Sequence, residues 1–152
     1  MKRALLYLDN CCFNRPYDEQ TQMKVYLETQ AKIHVQTAIL AGKYELVWSY
    51  MLEYENDVNP YMNRQIEIAL WRQRAVITVQ ESPKIVEDAA TLRRAGIKTK
   101  DALHLACAIA AGAEYFLTTD MKLLKKANSL EMLNVMNPLE FLAQEGGNGY
   151  EN

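Results

Sequence analysis

The stretch Ala4-Leu5-Leu6-Tyr7-Leu8-Asp9 places an acidic side chain directly after a continuous apolar run. Such a short apolar run predicts a strand that is buried on both faces of a sheet. Acidic residues are depleted within strands and are seldom buried without a partner. Asp9 is therefore the strongest single candidate for a functional residue in this chain.

Three more acidic residues occupy comparable positions further along the chain. Glu55 lies on the helix predicted after the second strand, and Asp101 opens an almost wholly apolar helix. Asp120 closes the apolar run Tyr115-Phe116-Leu117-Thr118-Thr119. In open α/β sheets the functional crevice lies outside the carboxyl ends of the strands, so we expect all four carboxylates to meet there.

Carboxylates that crowd together repel one another unless a cation or a proton offsets their charge. A divalent cation is the simplest solution, because hard oxygen ligands suit Mg²⁺ or Mn²⁺. The residues therefore predict a metal site whose ligands are Asp9, Glu55, Asp101 and Asp120.

The rest of the chain alternates short apolar runs with helical periods, which is typical of βαβ units and a parallel sheet. The predicted strands cover residues 4–8, 44–48, 75–79, 115–118 and 132–136. The predicted helices cover residues 19–41, 50–57, 61–74, 84–95, 100–111, 121–128 and 138–144, and residues 14–18 are expected to form a turn. Ser49 and Ser82 are expected to cap helices, and Gly42 and Gly96 to end them.

Composition sets the class of protein. The chain has 152 residues, of which 49% are hydrophobic and 24% charged, as in an ordinary globular domain. We expect one domain over residues 1–145 and a disordered tail over residues 146–152. The formal net charge of −2 gives no overall basic field, so any contact with nucleic acid must come from local patches.

Cysteine spacing and hydropathy indicate the compartment. Cys11, Cys12 and Cys107 form neither a zinc-binding spacing nor a CxxC pair, which favours a reducing cytoplasm. The basic start of the chain resembles a signal peptide, but the apolar run is broken by Asp9-Asn10 before it reaches the required length. Apolar stretches stay far below the ~20 residues that cross a bilayer, so no membrane span is expected.

Four segments carry a resemblance to a known family. They are Leu8-Asp9-Asn10, Ser49-Tyr50-Met51-Leu52-Glu53-Tyr54-Glu55, the run from Gly96 to Ala106 that contains Asp101-Ala102-Leu103-His104-Leu105-Ala106, and Phe116-Leu117-Thr118-Thr119-Asp120. Together they resemble the PIN-domain family over nearly the whole chain. The resemblance implies a three-layer α/β/α domain with a central parallel sheet and an Mg²⁺- or Mn²⁺-dependent nuclease that cuts RNA.

Many single-domain members of this size are VapC-type toxins restrained by an antitoxin protein. The resemblance therefore also implies an antitoxin partner and a homodimer. It assigns catalysis and metal binding to Asp9, Glu55, Asp101 and Asp120. Asn10 stands where many members have Ser or Thr, and together with Thr119 it is expected to support the ligands or to contact substrate.

Several of these residues have a simpler interpretation. Asp101 and Asp120 also stand where helix starts favour carboxylates. Glu53 and Glu55 point some 200° apart on a helix, so only one faces the site. Ser49, Leu52 and the family spacing favour Glu55, which leaves Glu53 as a solvated residue. His104 follows Asp101 by one turn, and we favour a packed or hydrogen-bonded histidine over a metal ligand.

Basic residues near this edge are candidates for contact with phosphates, which attract Lys and Arg without regard to sequence. Each of them could equally be a solvated surface charge. The candidates are Arg15, Lys98, Lys100 and Lys122.

Two alternatives to a nuclease stay open at this point. One is a phosphoacceptor module of the response-regulator (receiver) kind, but that fold needs an acceptor Asp after the third strand, where this chain has Val79-Gln80-Glu81. The other is a catalytically inactive PIN-like binding or scaffolding domain. The sequence has no GxxxxGK[ST], GxSxG or HExxH motif, and no GxGxxG follows the first strand.

Overall fold

The computed structural model describes the backbone of residues 3–150 and the side chains of residues 3–145. Its sheet has five parallel strands in the order β3-β2-β1-β4-β5. The strands are β1 (Ala4–Leu8), β2 (Tyr44–Ser49), β3 (Ala75–Val79), β4 (Tyr115–Leu117) and β5 (Asn134–Met136). The predicted α/β class with a parallel central sheet is therefore confirmed.

Eight helices surround the sheet within the described residues. They are α1 (Asn10–Asn14), α2 (Met23–Leu40), α3 (Tyr50–Asp57), α4 (Met62–Leu70), α5 (Pro83–Arg94), α6 (Thr99–Ala111), α7 (Met121–Ala127) and α8 (Pro138–Tyr150). Helices α2 and α8 pack together, as do α5 and α6. Because crossovers between parallel strands are right-handed, the two pairs cover opposite faces of the sheet and give the three-layer α/β/α arrangement.

The predicted helix signals are confirmed at most positions. The Ser49 and Ser82 side chains accept hydrogen bonds from the amides of Leu52 and Ile85, at 3.2 and 3.3 Å. Gly42 and Gly96 follow α2 and α5 with φ of +80° and +99°, a region that residues with a Cβ rarely adopt.

The predicted turn over residues 14–18 agrees with a 3₁₀ turn, but helix α1 before it was not predicted and α2 begins later than the predicted residue 19. Residues 10–14 form α1 and residues 15–17 a 3₁₀ turn, because the Asp9 carboxylate accepts the Asn10 amide and starts a helix at once. Helix α2 begins only at Met23, since the Gln20 side chain bonds the carbonyls of Arg15 and Asp18 and holds a turn before it.

Other boundaries differ by less. Helix α4 ends at Leu70 and passes into a 3₁₀ turn, and strands β4 and β5 are shorter than predicted. Helix α8 continues to Tyr150 beyond the predicted end at Gln144, because glycine lowers helix propensity without forbidding a helical backbone. The remaining residues of the predicted tail, 151–152, lie outside the described residues.

The core is built around β1, the central strand. Leu6, Tyr7 and Leu8 are fully buried, and the Tyr7 ring stacks on Phe116 of β4 with centroids 5.1 Å apart. Within the described part of the chain, no helix is both long and apolar enough to cross a membrane. Because β1 is tightly packed, it fixes the position of Asp9, the residue that follows it.

Two buried charges lie on α2, and only one of them is paired. The Glu28 carboxylate accepts the Arg15 guanidinium at 2.7 Å and the Asn137 amide at 2.6 Å, which joins the first loop to the start of α8. Lys32 is 7% exposed and forms no ion pair among residues 3–145, although its ammonium lies 5.9 Å from the centre of the Phe13 ring. Burial lowers the pKa of Lys32 from 10.5 to about 8.

We predict that Lys32→Met stabilises the protein by about 1–3 kcal/mol at pH 7, because it removes an unpaired buried charge and keeps the volume. The folded-state pKa is lowered, so the destabilisation is complete below pH 8 and is lost as pH rises from about 8 to 10.5. Urea denaturation of the two proteins at pH 7 and at pH 10.5 measures both effects.

The control is Lys84→Met, which makes the same change on the exposed surface of α5, where Lys84 pairs with Asp88. Equal stabilities for the wild type and the Lys32→Met variant at pH 7 would show that the ammonium is well solvated.

Candidate active site

The four predicted acidic residues line one cleft at the carboxyl edge of the sheet. The cleft has a volume of about 410 Å³ and lies where β1 and β4 are adjacent, although the chain leaves β1 towards β2. Such a reversal of strand order is the position at which open α/β sheets bind ligands. The lining residues are Asp9, Asn10, Cys11, Asn14, Asp18, Glu55, Lys100, Asp101 and Asp120.

Asp9 is held rigidly at the base of this cleft. Its backbone amide continues the pairing of β1 with β4 by donating to the Leu117 carbonyl at 2.9 Å. One carboxylate oxygen, Oδ1, accepts the Asn10 amide at 2.8 Å, and Oδ2 accepts the Thr118 hydroxyl at 2.8 Å. Oδ2 also accepts the weaker Cys11 thiol at 3.4 Å, whereas Oδ1 keeps a further lone pair, so these bonds orient the carboxylate and leave Oδ1 able to accept another contact.

The threonine that supports the site is Thr118, where the sequence analysis named Thr119. The Thr118 hydroxyl donates to Asp9 and also accepts the Asp120 amide at 3.1 Å, whereas the recorded bond of Thr119 is from its backbone amide to the Cys11 sulfur. Neighbouring residues of an extended segment point to opposite sides, so only one of the two hydroxyls can face Asp9.

Asp101 projects from the first turn of α6 into the same cleft. Burial, followed by the negative charges of Asp9 and Asp120, raises the pKa of Asp101 to about 6. Among the described residues its carboxylate has no recorded hydrogen bond or ion pair that would offset this repulsion. The crowding of the carboxylates therefore shows most clearly in the raised pKa of Asp101.

Glu55 is oriented by two neighbours at once. Its Oε1 accepts Nε2 of His104, and its Oε2 accepts the Asn10 side-chain amide at 3.4 Å. Burial is the largest single influence and acts to raise the pKa of Glu55, but the hydrogen bond and charge of His104, the charge of Lys100 and the Asn10 hydrogen bond together outweigh it and lower the pKa. For His104, burial acts to lower the pKa, yet the bond to Glu55 and the charge of Asp9 bring it above its ordinary value. The preferred interpretation of His104 as a hydrogen-bonded histidine agrees with this geometry.

Asp120 caps α7. Its Oδ1 accepts the amides of Lys122 and Leu123 at 3.0 and 3.2 Å, so the capping interpretation describes its present contacts. Capping uses one oxygen, and the residue still lines the cleft beside Asp101. The two interpretations of Asp120 are therefore compatible in this geometry.

Glu53 faces away from the cleft and its side chain stays 36% exposed, as expected of a solvated residue, but it also forms specific contacts. It accepts the Trp48 indole at 2.9 Å and the Arg72 guanidinium at 2.9 Å. The helical turn between Glu53 and Glu55 sends the two side chains to opposite sides of α3, as predicted.

The basic candidates fall into two groups. Lys100 lines the cleft, and Lys98 and Lys122 line a small adjoining pocket together with Asp101, Asp120 and Lys126. Arg15 is already bound to Glu28 and Asp18, at 2.7 and 3.1 Å, and so is committed to the fold instead of to a phosphate.

The site was tested for its fit to a divalent cation. Its donor chemistry fits, because carboxylate oxygens from four separate elements line one cleft. Within the described residues, however, no three His, Cys, Asp or Glu side chains already have the arrangement of a metal-ligand shell. The carboxylates would therefore have to move closer together for one cation to contact several of them.

Two residues of the site, Cys11 and Tyr7, were not predicted from the sequence. The Cys11 thiol contacts Asp9 Oδ2 at 3.4 Å, and the Tyr7 hydroxyl bonds both Ser49 and His104 at 2.6 Å. A tyrosine inside an apolar strand was the available signal, because a buried phenol needs a hydrogen-bond partner. No pattern in the sequence indicated Cys11, since a lone cysteine usually behaves as a small apolar residue.

Comparisons with known proteins agree with this architecture. The PIN domain family model matches residues 6–129. The crystal structure of VapBC2 from Rickettsia felis bound to a DNA fragment from their promoter superposes with a TM-score of 0.55 at 17% identity, covering 88% of this chain and 98% of that chain. At this identity the likeness concerns the fold, and no curated protein matches the chain. PIN domains are generally nucleases and generally use divalent metal ions. The match over most of its length shows that this chain belongs to the PIN-domain family.

Proposed function

We propose that the protein is a metal-dependent endoribonuclease that hydrolyses RNA at the acidic cleft. Asp9, Glu55, Asp101 and Asp120 would hold Mg²⁺ or Mn²⁺ there. The observation that carries the proposal is the single cleft lined by carboxylates from four separate elements, in which burial and the charges of Asp9 and Asp120 raise the pKa of Asp101 to about 6. A cation bound at this edge of the sheet would offset the repulsion between the carboxylates.

Each of the four acidic residues would have its own role in holding the cation. Asp9 and Asp101 present carboxylates from β1 and α6, Glu55 is aimed by His104 and Asn10, and Asp120 completes the set. A divalent cation bound here would lower the pKa of a coordinated water and offset charge on the phosphodiester. The cleft is open to a polymer, and no covalent nucleophile from the protein is required.

The substrate backbone would lie along the lysines beside the acids. Lys100 in the cleft, and Lys98 and Lys122 in the adjoining pocket, would neutralise phosphates next to the acids, and Lys126 shares that adjoining pocket. Such contacts give salt-dependent binding without sequence preference, which suits single-stranded RNA in an open groove.

We further propose an antitoxin partner and a homodimer. The similarity to a VapBC2 complex supports the first. The second is supported by large apolar side chains left exposed on and around α3 and α4, which are Tyr54, Val58, Tyr61, Met62, Ile66 and Leu70. Sedimentation of the purified chain, alone and with a co-expressed neighbouring gene product, measures both associations.

The alternatives are less well supported. A receiver module has its strands in the order 2-1-3-4-5, so that its third strand lies beside the first, whereas here β3 is at the sheet edge and β4 lies beside β1. An inactive PIN-like scaffold would have no reason to keep all four acidic side chains on one cleft. The absence of RNA cleavage with either cation would favour the scaffold.

We predict that Asp9→Asn lowers Mn²⁺-dependent cleavage of single-stranded RNA by more than about 100-fold, because losing a ligand that contributes several kcal/mol costs two or more powers of ten in rate. The fold should persist, since the amide oxygen can still accept the Asn10 amide and the amide nitrogen can donate to Thr118. Initial rates with a fluorescent RNA, with and without EDTA, measure the loss.

The matched control is Asp88→Asn, which removes one carboxylate from the surface of α5, where Asp88 pairs with Lys84. Wild-type activity in Asp9→Asn would remove Asp9 from the site. Loss of activity in Asp88→Asn as well would point to a general effect of charge.

We predict that Asp101→Asn stabilises the metal-free protein at pH 7 to 8 by on the order of 1 kcal/mol, after allowance for solvent screening. The folded-state pKa is raised from 3.8 to about 6, so the wild type loses stability relative to the variant as pH rises through this interval. Saturating Mn²⁺ should reverse the order, because it stabilises the form that binds it better.

Thermal denaturation at pH 4 and pH 7.5, with EDTA or Mn²⁺, tests the stability of Asp101→Asn. A metal-free variant that melts below the wild type at pH 7.5 would mean that the Asp101 carboxylate makes a stabilising contact, contrary to the repulsion described above.

A further inference from the structure

A continuous chain of hydrogen bonds runs behind the cleft. The Leu52 amide donates to Ser49 Oγ at 3.2 Å, Ser49 Oγ bonds the Tyr7 hydroxyl at 2.6 Å, and that hydroxyl bonds His104 Nδ1 at 2.6 Å. His104 Nε2 then bonds Glu55 Oε1. Ser49, Tyr7 and His104 are each at most 1% exposed, so water does not compete for these bonds.

The proton positions at the end of this chain follow from the chemistry of its last member. An ionised carboxylate can only accept, so His104 Nε2 carries a proton and donates it to Glu55. Nδ1 is then free to accept the Tyr7 hydroxyl, which in turn accepts the Ser49 hydroxyl. Every donor has one acceptor in this arrangement when the imidazole is neutral. In the imidazolium, which the raised pKa of His104 favours, Nδ1 donates to the Tyr7 oxygen and the Tyr7 hydroxyl donates to Ser49, so Nε2 donates to Glu55 in both forms.

We propose that His104, held by Tyr7, is a positioning residue that aims the Glu55 carboxylate into the cleft. The inference rests on the proposed function, because Glu55 matters only if the cleft binds a cation. His104 is not itself a ligand in this arrangement, since both of its ring nitrogens are occupied and it does not line the cleft. Asn10 fixes the second oxygen, so the carboxylate is restrained at both ends.

The geometry also explains why a histidine stands at this place in α6. A carboxylate that binds a metal is held best when its other contacts are fixed, and losing such a contact typically costs 10- to 100-fold in metal affinity. A side chain that has no hydrogen-bond donor at the position of the His104 Nε2 atom would no longer hold Glu55 Oε1 in place. A side chain that reached further would displace Glu55 from the cleft.

The test is a double-mutant cycle between His104 and Glu55, read as Mn²⁺ affinity by electron paramagnetic resonance. We expect His104→Leu to weaken Mn²⁺ binding by about 10- to 100-fold. We expect His104→Gln, which keeps an amide donor, to recover part of that loss. In a Glu55→Gln background His104→Leu should add little, because the group it positions is already altered.

A second measurement does not depend on metal or activity. The ring nitrogens of ¹⁵N-labelled histidine should show His104 protonated at Nε2 with a strongly hydrogen-bonded proton, and Glu55→Gln should move that signal. Tyr7→Phe keeps the stacked ring and removes the hydroxyl, so it should shift the Nδ1 resonance. His34, which is exposed on α2, is the internal reference, and His34→Gln is the matched control for Mn²⁺ affinity.

Additive losses in the cycle, or a His104 signal that Glu55→Gln leaves unchanged, would overturn the inference. A wild-type protein that neither binds Mn²⁺ nor cleaves RNA would refute the proposed function instead. In that case the nitrogen resonances alone decide whether His104 holds Glu55, so the two failures are distinguishable.

Discussion

Electrostatic repulsion at the junction of β1 and β4 is the constraint on which the site depends. Four carboxylates line one cleft, and three of them are stabilised by separate means. Asp9 accepts a hydroxyl and an amide, Glu55 accepts an imidazole, and Asp120 accepts the first amides of α7. Asp101 has no such partner among the described residues, and burial together with the charges of Asp9 and Asp120 raises its pKa to about 6. A protein can keep a charged site folded without its ligand when each of the like-charged groups has a different local environment.

The sheet topology brings these residues together. Because β1 is central and pairs with both β2 and β4, the residue after β1 lies within reach of groups from both sides. Helix α3 follows β2 and delivers Glu55 from one side, while the segment after β4 delivers Thr118 and Asp120 from the other. A sheet that ran in sequence order would have separated Asp9 from Asp120, so the strand order has direct chemical consequences.

The alternation of strands with helices could be read from the sequence, as could the acidic residues after β1 and β4 and on α3 and α6, and both follow from local rules of pattern. The structure places those acidic residues on one cleft, but their roles stay a prediction. The choice between Thr118 and Thr119 could not be made, because it depends on where β4 ends, and strand ends are set by pairing with β1. Helix α1 was missed for a similar reason. Its start is fixed by a contact of the Asp9 side chain, and a loop with proline reads equally well as a turn.

The hydrogen-bond chain behind the cleft could not be predicted, because its members are 42 and 97 residues apart in sequence. Its two ends, the Leu52 amide and the Glu55 carboxylate, both belong to α3, so the bonds form a ring through β2, β1 and α6 and back to α3. A ring of this kind fixes the rotation of α3 about its own axis. Since that rotation decides whether Glu53 or Glu55 faces the cleft, the buried phenol of the central strand helps to direct Glu55 towards it. Tyr7 therefore connects the apolar core to the charged site, because its ring packs in the core and its hydroxyl belongs to the hydrogen-bond chain.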